Sequence, residues 1–179
     1  MTKLVVVSGP SGVGKTTVCD HLLRRPEFER VVTATTRPAR GDERHEVDYL
    51  FLSDAEFDRW TEQQRFLEWA RVHDHRYGSP RASAEKILGA GRHALLNIDV
   101  QGAAAIRASG VPSLLVFLLA PSWDQLEKRL RGRRTDAPEA VERRLATART
   151  ELARQDEFDL RVVNDDSRRA ADEIVKALS

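Results

Sequence analysis

The stretch LVVVSGPSGVGKTTVCDHLL, residues 4–23, constrains the fold of this chain more than any other segment. Its apolar run Leu4–Ser8 predicts a strand buried on both faces, and Thr16 to Arg25 predict a helix. Between them lies the spacing G-x-x-x-x-G-K-T, in which glycines allow successive backbone N–H groups to point toward phosphate oxygens. The sequence therefore predicts a phosphate-binding loop at the junction of this strand and this helix.

The positions of this loop have distinct predicted roles. We expect Lys15 to reach the β- and γ-phosphates of a nucleoside triphosphate, and the Thr16 hydroxyl to bind the Mg²⁺ that accompanies the nucleotide. The residues predicted to bind this nucleotide are Gly9, Pro10, Ser11, Gly12, Val13, Gly14, Lys15, Thr16 and Thr17. Motors, switches and kinases all use such a loop, so the group that receives the phosphate must be identified elsewhere in the chain.

Length and composition exclude several classes of protein. The 179 residues allow one compact core with small appendages. The composition, 41% hydrophobic and 32% charged residues, is ordinary for a globular chain. No apolar run approaches the roughly 20 residues of a membrane span, and the N-terminal run is too short for a signal peptide, so we expect a cytoplasmic protein. The net charge of +1 gives no reason to expect a nucleic-acid partner. Cys19, the single cysteine, is interpreted as a small buried side chain.

Buried-type strands alternate with helices along the chain, which predicts an α/β fold with a parallel sheet and helices on both faces. Two segments fit this core poorly, one polar and irregular, the other helical and rich in arginine. We interpret both as subdomains that grow out of the core, the first a small mixed α/β insert and the second a helical segment that is called the lid. The predicted boundaries are 1–31, 84–123 and 157–179 for the core, 32–83 for the insert and 124–156 for the lid.

Within the insert, the sequence predicts a short strand at Tyr49–Leu52, a helix with Ser53 as its N-cap, a strand at Phe66–Val72 and a turn at Tyr77–Pro80. In the core, further strands are predicted at 93–98, 114–119 and 161–164.

The insert carries side chains that suit a second phosphate and a base. Arg37 and Arg40, with the Tyr49 hydroxyl, can clamp a phosphate through charge-assisted hydrogen bonds. Glu68, within FLEWA, can accept paired N–H groups such as those of guanine N1 and N2. Each residue taken alone also has an ordinary explanation, as a solvated arginine, a packing tyrosine or a surface acid.

The motifs occur together and in a fixed order. From GPSGVGKT through TATTRPAR, DYLF, FLEWA, RYGS, NIDVQG, RLRGRRTD and ERRL to VVND, the chain resembles the guanylate kinase family over essentially its whole length. The resemblance implies Mg²⁺-dependent phosphoryl transfer from ATP to GMP, with dGMP as an expected second acceptor, giving ADP and GDP. It implies phosphate contacts by Arg37, Arg40, Tyr49 and Tyr77, contacts to guanine or its sugar by Thr33, Glu68, Ser79 and Asp99, and a water-mediated role for Asp99 at Mg²⁺.

The resemblance also implies roles for the arginines of the lid. It implies that Arg133 and Arg144 contact phosphates and act in catalysis together with Lys15 and Arg37. On a hinged flap such arginines would stabilise the transferring phosphoryl group, and exclude water, only when the flap is closed. Supporting roles are expected for Arg129, Arg131, Arg134 and Arg143. Asn164 is the expected adenine contact, with a plain turn asparagine as the alternative.

The chain departs from the family pattern at four positions. Glu46 stands in place of a glycine, which predicts a loop of different backbone shape or charge, and Asn97 replaces an acid two residues before Asp99. Arg76 replaces the first tyrosine of a pair, and Arg134 replaces a lid glycine.

These departures leave open the hypothesis that the chain is a kinase for a modified nucleotide or a sugar phosphate. Against a sugar phosphate, Glu68 would have no base to contact. A non-catalytic interaction module of this fold is disfavoured by the intact Lys15 and Thr16. The expected partners are ATP and GMP, with no nucleic acid and no membrane, and both a monomer and a homo-oligomer fit the sequence.

Overall fold

The computed structural model describes residues 1–72, 74–132 and 138–179. Their strands are β1 (Leu4–Ser8), β2 (Phe28–Arg30), β3 (Ala34–Thr35), β4 (Leu50–Phe51), β5 (Phe66–Val72), β6 (His75–Pro80), β7 (His93–Asn97), β8 (Ser113–Leu119) and β9 (Leu160–Val163). Their helices are α1 (Lys15–Leu23), α2 (Asp54–Glu62), α3 (Arg81–Gly89), α4 (Val100–Ala108), α5 (Trp123–Arg131), α6 (Pro138–Leu152) and α7 (Ser167–Lys176), with a short 3-10 turn at Gln155–Glu157.

The larger sheet is parallel throughout, in the order β2-β7-β1-β8-β9. Strand β1 lies at its centre and is fully buried, because helices cover both faces. Alternate residues of β1 serve different faces: Val5 and Val7 pack with α1, α7, α5 and α6, whereas Leu4 and Val6 pack with α3 and α4. This arrangement confirms the predicted α/β fold.

The insert forms a second sheet, in the order β4-β3-β6-β5, in which β3 and β4 are parallel and the other pairs antiparallel. Its own small apolar cluster consists of Ala34, Phe57 and Phe66, and the two phenylalanine rings stack with centroids 4.5 Å apart. Helix α2 begins at the predicted N-cap, Ser53, whose side chain and that of Glu56 form a capping box.

The two arginine-rich helices pack onto the main core. Leu126 and Leu130 of α5 share the apolar cluster of β1 with Val141, Leu145 and Ala148 of α6, so the predicted apolar stripe of α6 is buried. On the outside, Arg131 of α5 pairs with its neighbour Glu127 and, across to α6, with Glu142, both at 2.7 Å. The two helices therefore form one unit held by an apolar seam and a surface ion-pair network.

The predicted turn at Tyr77–Pro80 is wrong. These residues belong to strand β6, which pairs along its length with β5. Gly78 and Pro80 suggested a turn, but Gly78 is needed in the strand because a Cβ there would lie 2.8 Å from the Phe66 ring. Strands β2 and β3, of 3 and 2 residues, were not predicted, because such short strands carry no periodicity of their own. Among the described helices, each is too short or too polar to cross a bilayer.

Truncation of Phe57 tests how far the insert depends on its own small cluster. Phe57→Ala is expected to lower the free energy of unfolding by about 3–5 kcal/mol, since the ring is fully buried and stacked. Denaturant titration would measure this, with Arg59→Ala on the exposed side of α2 as the control. A loss below about 1 kcal/mol for Phe57→Ala would contradict the assigned packing.

Candidate active site

The phosphate loop runs from the end of β1 to the start of α1 through a tightly confined path. Gly9, Gly12 and Gly14 all have positive φ, at 137°, 81° and 96°. A Cβ on Gly9 would lie 2.6 Å from the Leu118 carbonyl oxygen, and one on Gly14 would lie 2.4 Å from Nδ2 of Asn164. The glycines are therefore required both by backbone conformation and by space.

Lys15 and Thr16 begin helix α1, whose N-terminus faces the loop. The Lys15 ammonium donates to the carbonyl oxygens of Gly9 and Pro10, at 2.5 and 3.0 Å, so its charge lies over the loop. Thr16 and Thr17 are exposed in the first helical turn. A cation above a ring of backbone N–H groups at a helix N-terminus is suited to a polyphosphate.

Asn164, the predicted adenine contact, is buried beneath this loop. Its Nδ2 donates to the Val13 carbonyl oxygen at 2.8 Å, and its backbone N–H donates to Leu119 at 2.7 Å. Asn164 therefore braces the phosphate loop against the end of β8. Sequence reasoning missed this supporting role, because it depends on strands far apart in the chain.

On the other side of the cleft, a cavity of about 300 Å³ collects most of the predicted acceptor residues. It is lined by Thr33, Tyr49, Glu68, Ala70, Val72, Tyr77, Asn97, Ile98 and Asp99. Ser79 lies behind this wall, where its hydroxyl donates to Glu68 Oε1 at 2.5 Å. The structure thus brings together residues from β5, β6 and the end of β7.

Glu68 is only 8% exposed. Burial raises the pKa of its carboxyl group, the Ser79 hydroxyl opposes the rise, and the nearby Asp99 adds to it. The opposite oxygen, Oε2, lies beside Gly102, where a Cβ would approach it to 3.1 Å. A partly desolvated acceptor at the wall of a cavity is well placed to recognise a ligand that offers N–H groups.

Arg37 is buried next to Tyr49, one of the residues that line this cavity. It pairs with Glu43 at 2.8 Å, and this hydrogen bond raises the pKa of Arg37 and lowers that of Glu43. Its guanidinium carbon lies 5.3 Å from the centre of the Tyr49 ring, which contacts Tyr77 edge-on at 6.2 Å. Sequence reasoning missed Glu43, although its spacing of six residues from Arg37 is visible in the loop.

A smaller cavity of about 220 Å³ continues this site toward helix α1. It is lined by Thr16, Cys19, Asp20, Leu23, Arg30, Val31, Thr33, Tyr49, Leu95 and Asn97. Thr33, Tyr49 and Asn97 line both cavities. The first turn of α1 and the acceptor pocket therefore open into one cleft.

Asp99 caps helix α4, and its Oδ1 accepts from the Gly102 N–H at 2.8 Å. The side chains of Asp99 and Asn97 are exposed at the carboxyl end of the strand beside β1. Across residues 1–72, 74–132 and 138–179, no three His, Cys, Asp or Glu side chains are grouped to hold a metal ion by themselves.

Two of the departures from the family pattern have a structural explanation. Glu46 adopts φ of +64°, the left-handed region that glycine favours. The turn therefore has a backbone conformation that also suits glycine, and the expected difference in backbone shape or charge stays a prediction. The Glu46 N–H donates to the Tyr49 carbonyl oxygen at 2.9 Å, which ties this turn to a cavity residue. Arg76 points away from the cleft, pairs with Asp54 and Asp58 of α2, and leaves Tyr77 in the cavity wall.

The arginines that were predicted to contact or support phosphates, but that do not line the cavity, lie in different parts of the chain. Arg40 is exposed, and its N–H donates to Glu43 at 2.8 Å. Arg129 donates to the Val13 carbonyl oxygen at 3.4 Å, and Arg144 is half-buried on α6. Arg133 and Arg134 lie outside the described residues.

The strand, glycine loop and helix opposite an acceptor cavity define a P-loop nucleotide-binding protein. A family model described as guanylate kinase matches residues 1–179. The chain is similar to a guanylate kinase of Thermobifida fusca, 48% identical with 99% of this chain and 91% of that protein covered. It is also similar to one of Rubrobacter xylanophilus, 44% identical with coverages of 98% and 93%.

The chain is also similar in fold to proteins of known structure. A guanylate kinase from Anaplasma phagocytophilum has a TM-score of 0.75 at 31% identity, covering 99% of this chain and 84% of that one. The tunicamycin resistance protein of Deinococcus radiodurans, at TM-score 0.50 and 16% identity, shares the fold alone. The chain belongs to the guanylate kinase family, whose reaction is phosphoryl transfer from ATP to GMP.

Substitution of Glu46 tests the left-handed turn. Glu46→Gly is expected to change the free energy of unfolding by less than about 1 kcal/mol, since relief of backbone strain opposes the entropy that glycine loses on folding. Glu46→Val is expected to lower it by about 1–3 kcal/mol, because a β-branched residue is strained at this φ. Thermal and denaturant unfolding would compare them, and equal stabilities of the two variants would contradict the assigned conformation.

The raised pKa of Glu68 makes stability depend on pH. Because the folded state favours the protonated carboxyl, the free energy of unfolding of the native protein should fall as pH rises from about 4, the value in the unfolded chain, through the folded pKa. Glu68→Gln should show a smaller fall, because it lacks the Glu68 contribution, and should be the more stable protein at pH 8. The exposed Glu85→Gln on α3 is the control, and identical pH profiles for native protein and Glu68→Gln would exclude this effect.

Proposed function

We propose that this chain catalyses Mg²⁺-dependent phosphoryl transfer from ATP to GMP, giving ADP and GDP, in the cytoplasm. The single observation that carries the proposal is that Thr33, Tyr49 and Asn97 line both the cavity beside Thr16 and the cavity that contains Glu68. A phosphate donor at the loop and an acceptor in the larger cavity would therefore share one cleft. Direct transfer between bound substrates needs this proximity.

On the donor side, the backbone of the loop and Lys15 hold the β- and γ-phosphates of ATP. The support for this assignment is the position of the Lys15 ammonium, which already lies over the loop carbonyls of Gly9 and Pro10. Asn164 holds the loop through the Val13 carbonyl oxygen, and it is also the residue proposed to contact adenine.

On the acceptor side, Glu68 accepts the N1 and N2 protons of guanine, with Ser79 holding the carboxylate in place. Arg37, oriented by Glu43, and the hydroxyl groups of Tyr49 and Tyr77 bind the GMP phosphate, and Arg40 joins them from the exposed side of the loop. Thr33 and Asp99 contact the nucleoside between these two ends.

The residues present fit a Mg²⁺–nucleotide complex. Mg²⁺ prefers oxygen ligands and keeps several waters when it bridges phosphates, so it needs few protein groups. The Thr16 hydroxyl in the first turn of α1 would bind the ion directly, and the exposed Asp99 carboxylate would act through water. When bound, the ion would neutralise charge on the transferring phosphoryl group.

The transfer itself requires no side-chain nucleophile. An oxygen of the GMP phosphate attacks the γ-phosphorus of ATP, the bond to the bridging oxygen breaks, and ADP leaves with that electron pair. Residues 124–156 are proposed to act as the lid, with Arg133 and Arg144 placing positive charge on the moving group. Lys15 and Arg37 supply charge from the two fixed sides of the cleft.

A substrate panel tests this function. ADP release from ATP and Mg²⁺ should be fast with GMP, also present with dGMP, and near background with AMP, CMP, UMP or no acceptor. Lys15→Ala should abolish turnover. Glu68→Ala should lower kcat/KM for GMP at least about tenfold, since a charge-assisted contact to the base is removed. Its KM for ATP should stay close to that of the native protein.

The controls separate the possible failures. Glu85→Ala, exposed on α3, should behave as the native protein. Full preference for GMP over AMP in Glu68→Ala would refute the base-site assignment. Activity with none of these nucleotides, in protein that still binds ATP, would direct the search to modified nucleotides and phosphosugars as acceptors.

A further inference from the structure

An arginine with no role in the mechanism above extends from the core sheet toward the acceptor side of the cleft. Arg30 is the last residue of β2, and its backbone is aligned with Leu95 of β7 in the parallel sheet. The next residue, Val31, is buried and donates its N–H to the Leu95 carbonyl oxygen at 3.0 Å. The side chain of Arg30 therefore starts from a fixed point of the main sheet.

The guanidinium group of Arg30 reaches the loop that leads into β4. It donates a hydrogen bond to the backbone carbonyl oxygen of Asp48, the residue directly before Tyr49. Arg30 and Tyr49 also line the same cavity, together with Thr16 in the first turn of α1. Arg30 thus connects the core to the backbone beside Tyr49, at the cavity that opens onto α1.

Bonds within the insert hold the rest of the backbone around Tyr49. The Tyr49 carbonyl oxygen accepts the N–H of Glu46 at 2.9 Å, and the Leu50 N–H donates to the Thr33 carbonyl oxygen at 2.9 Å. Strands β3 and β4 have two residues each, so their pairing contributes few hydrogen bonds. A bond from the main sheet to Asp48 therefore restrains this loop relative to the core, which the bonds inside the insert cannot do.

We propose that Arg30 is a positioning residue for the acceptor phosphate and that it acts through Tyr49. The proposal rests on the proposed function, in which the Tyr49 hydroxyl binds the GMP phosphate. Because the Asp48 carbonyl group is bonded to the core, the adjacent Tyr49 is held in place relative to α1 before GMP binds. Phosphoryl transfer depends on such placement, since a displacement of about 1 Å between reacting groups can lower the rate strongly.

A double-mutant cycle tests whether Arg30 acts through Tyr49. Isothermal titration calorimetry would measure GMP and ATP affinity for native protein, Arg30→Ala, Tyr49→Phe and the double variant. Arg30→Ala should weaken GMP binding about fivefold, since a charged donor to the backbone is lost, and leave ATP affinity within about twofold. In the Tyr49→Phe protein, which lacks the hydroxyl, Arg30→Ala should change GMP affinity by less than about twofold.

Two further variants control for charge and for packing. Arg24→Ala removes the same charge from an exposed position directly after α1 and should bind GMP as the native protein does. Arg30→Met keeps an unbranched stem without a donor, so it should weaken GMP binding as much as Arg30→Ala. Native affinity in Arg30→Met would show that the hydrogen bond to Asp48 plays no part and would overturn the proposal.

A direct attraction between Arg30 and the GMP phosphate gives a different pattern. The loss caused by Arg30→Ala would then be as large in the Tyr49→Phe protein as in the native one, and that result would overturn the positioning role. Unchanged GMP affinity in Arg30→Ala, with native protein that binds GMP, would refute this inference alone. Native protein that binds no GMP would refute the proposed function and this inference with it.

Discussion

The close approach of the phosphate loop to the neighbouring strand is the constraint on which the cleft depends. The loop leaves β1 so near β8 that Gly9 has no space for a Cβ beside the Leu118 carbonyl oxygen. Gly14 is confined in the same way by Asn164, which in turn holds Val13. Because β1 is buried at the centre of a parallel sheet, this anchoring is rigid, and the N–H groups are oriented before any nucleotide binds.

The acceptor side is built on a different principle. Alternate residues of the antiparallel pair β5–β6 lie on opposite faces of the small sheet, so Tyr77 lines the cavity while its neighbour Arg76 pairs with α2 on the other side. Glu68 is kept in the wall at a cost in stability, since burial disfavours its charge and the Ser79 hydroxyl compensates only in part. The insert thus has an outer face that is fixed to α2 by ion pairs and a polar inner face that lines the cavity.

The sequence was most informative where local chemistry and long periodic segments coincide. The phosphate loop, the buried strands and the capped helix α2 follow from spacing, hydrophobic runs and the Ser53 cap, and the resemblance named the family. The contact between Asn164 and Val13, 151 residues apart, could not be predicted, because it depends on how the layers pack. Arg37 and Glu43 are close in sequence, but their pairing depends on the irregular loop between them. The positive φ of Glu46 was missed because a residue's preference for ordinary backbone can be overridden by its turn.

The common wall formed by Thr33, Tyr49 and Asn97 has a thermodynamic consequence. Because these three residues line both cavities, any displacement of them changes the shape of both. A ligand that orders these residues in one half of the cleft would lower the entropic cost of binding in the other half. By linkage, the factor by which the first ligand strengthens the second equals the factor in the reverse direction. Any coupling that this wall carries between ligands in the two cavities is therefore reciprocal at equilibrium, whichever ligand binds first.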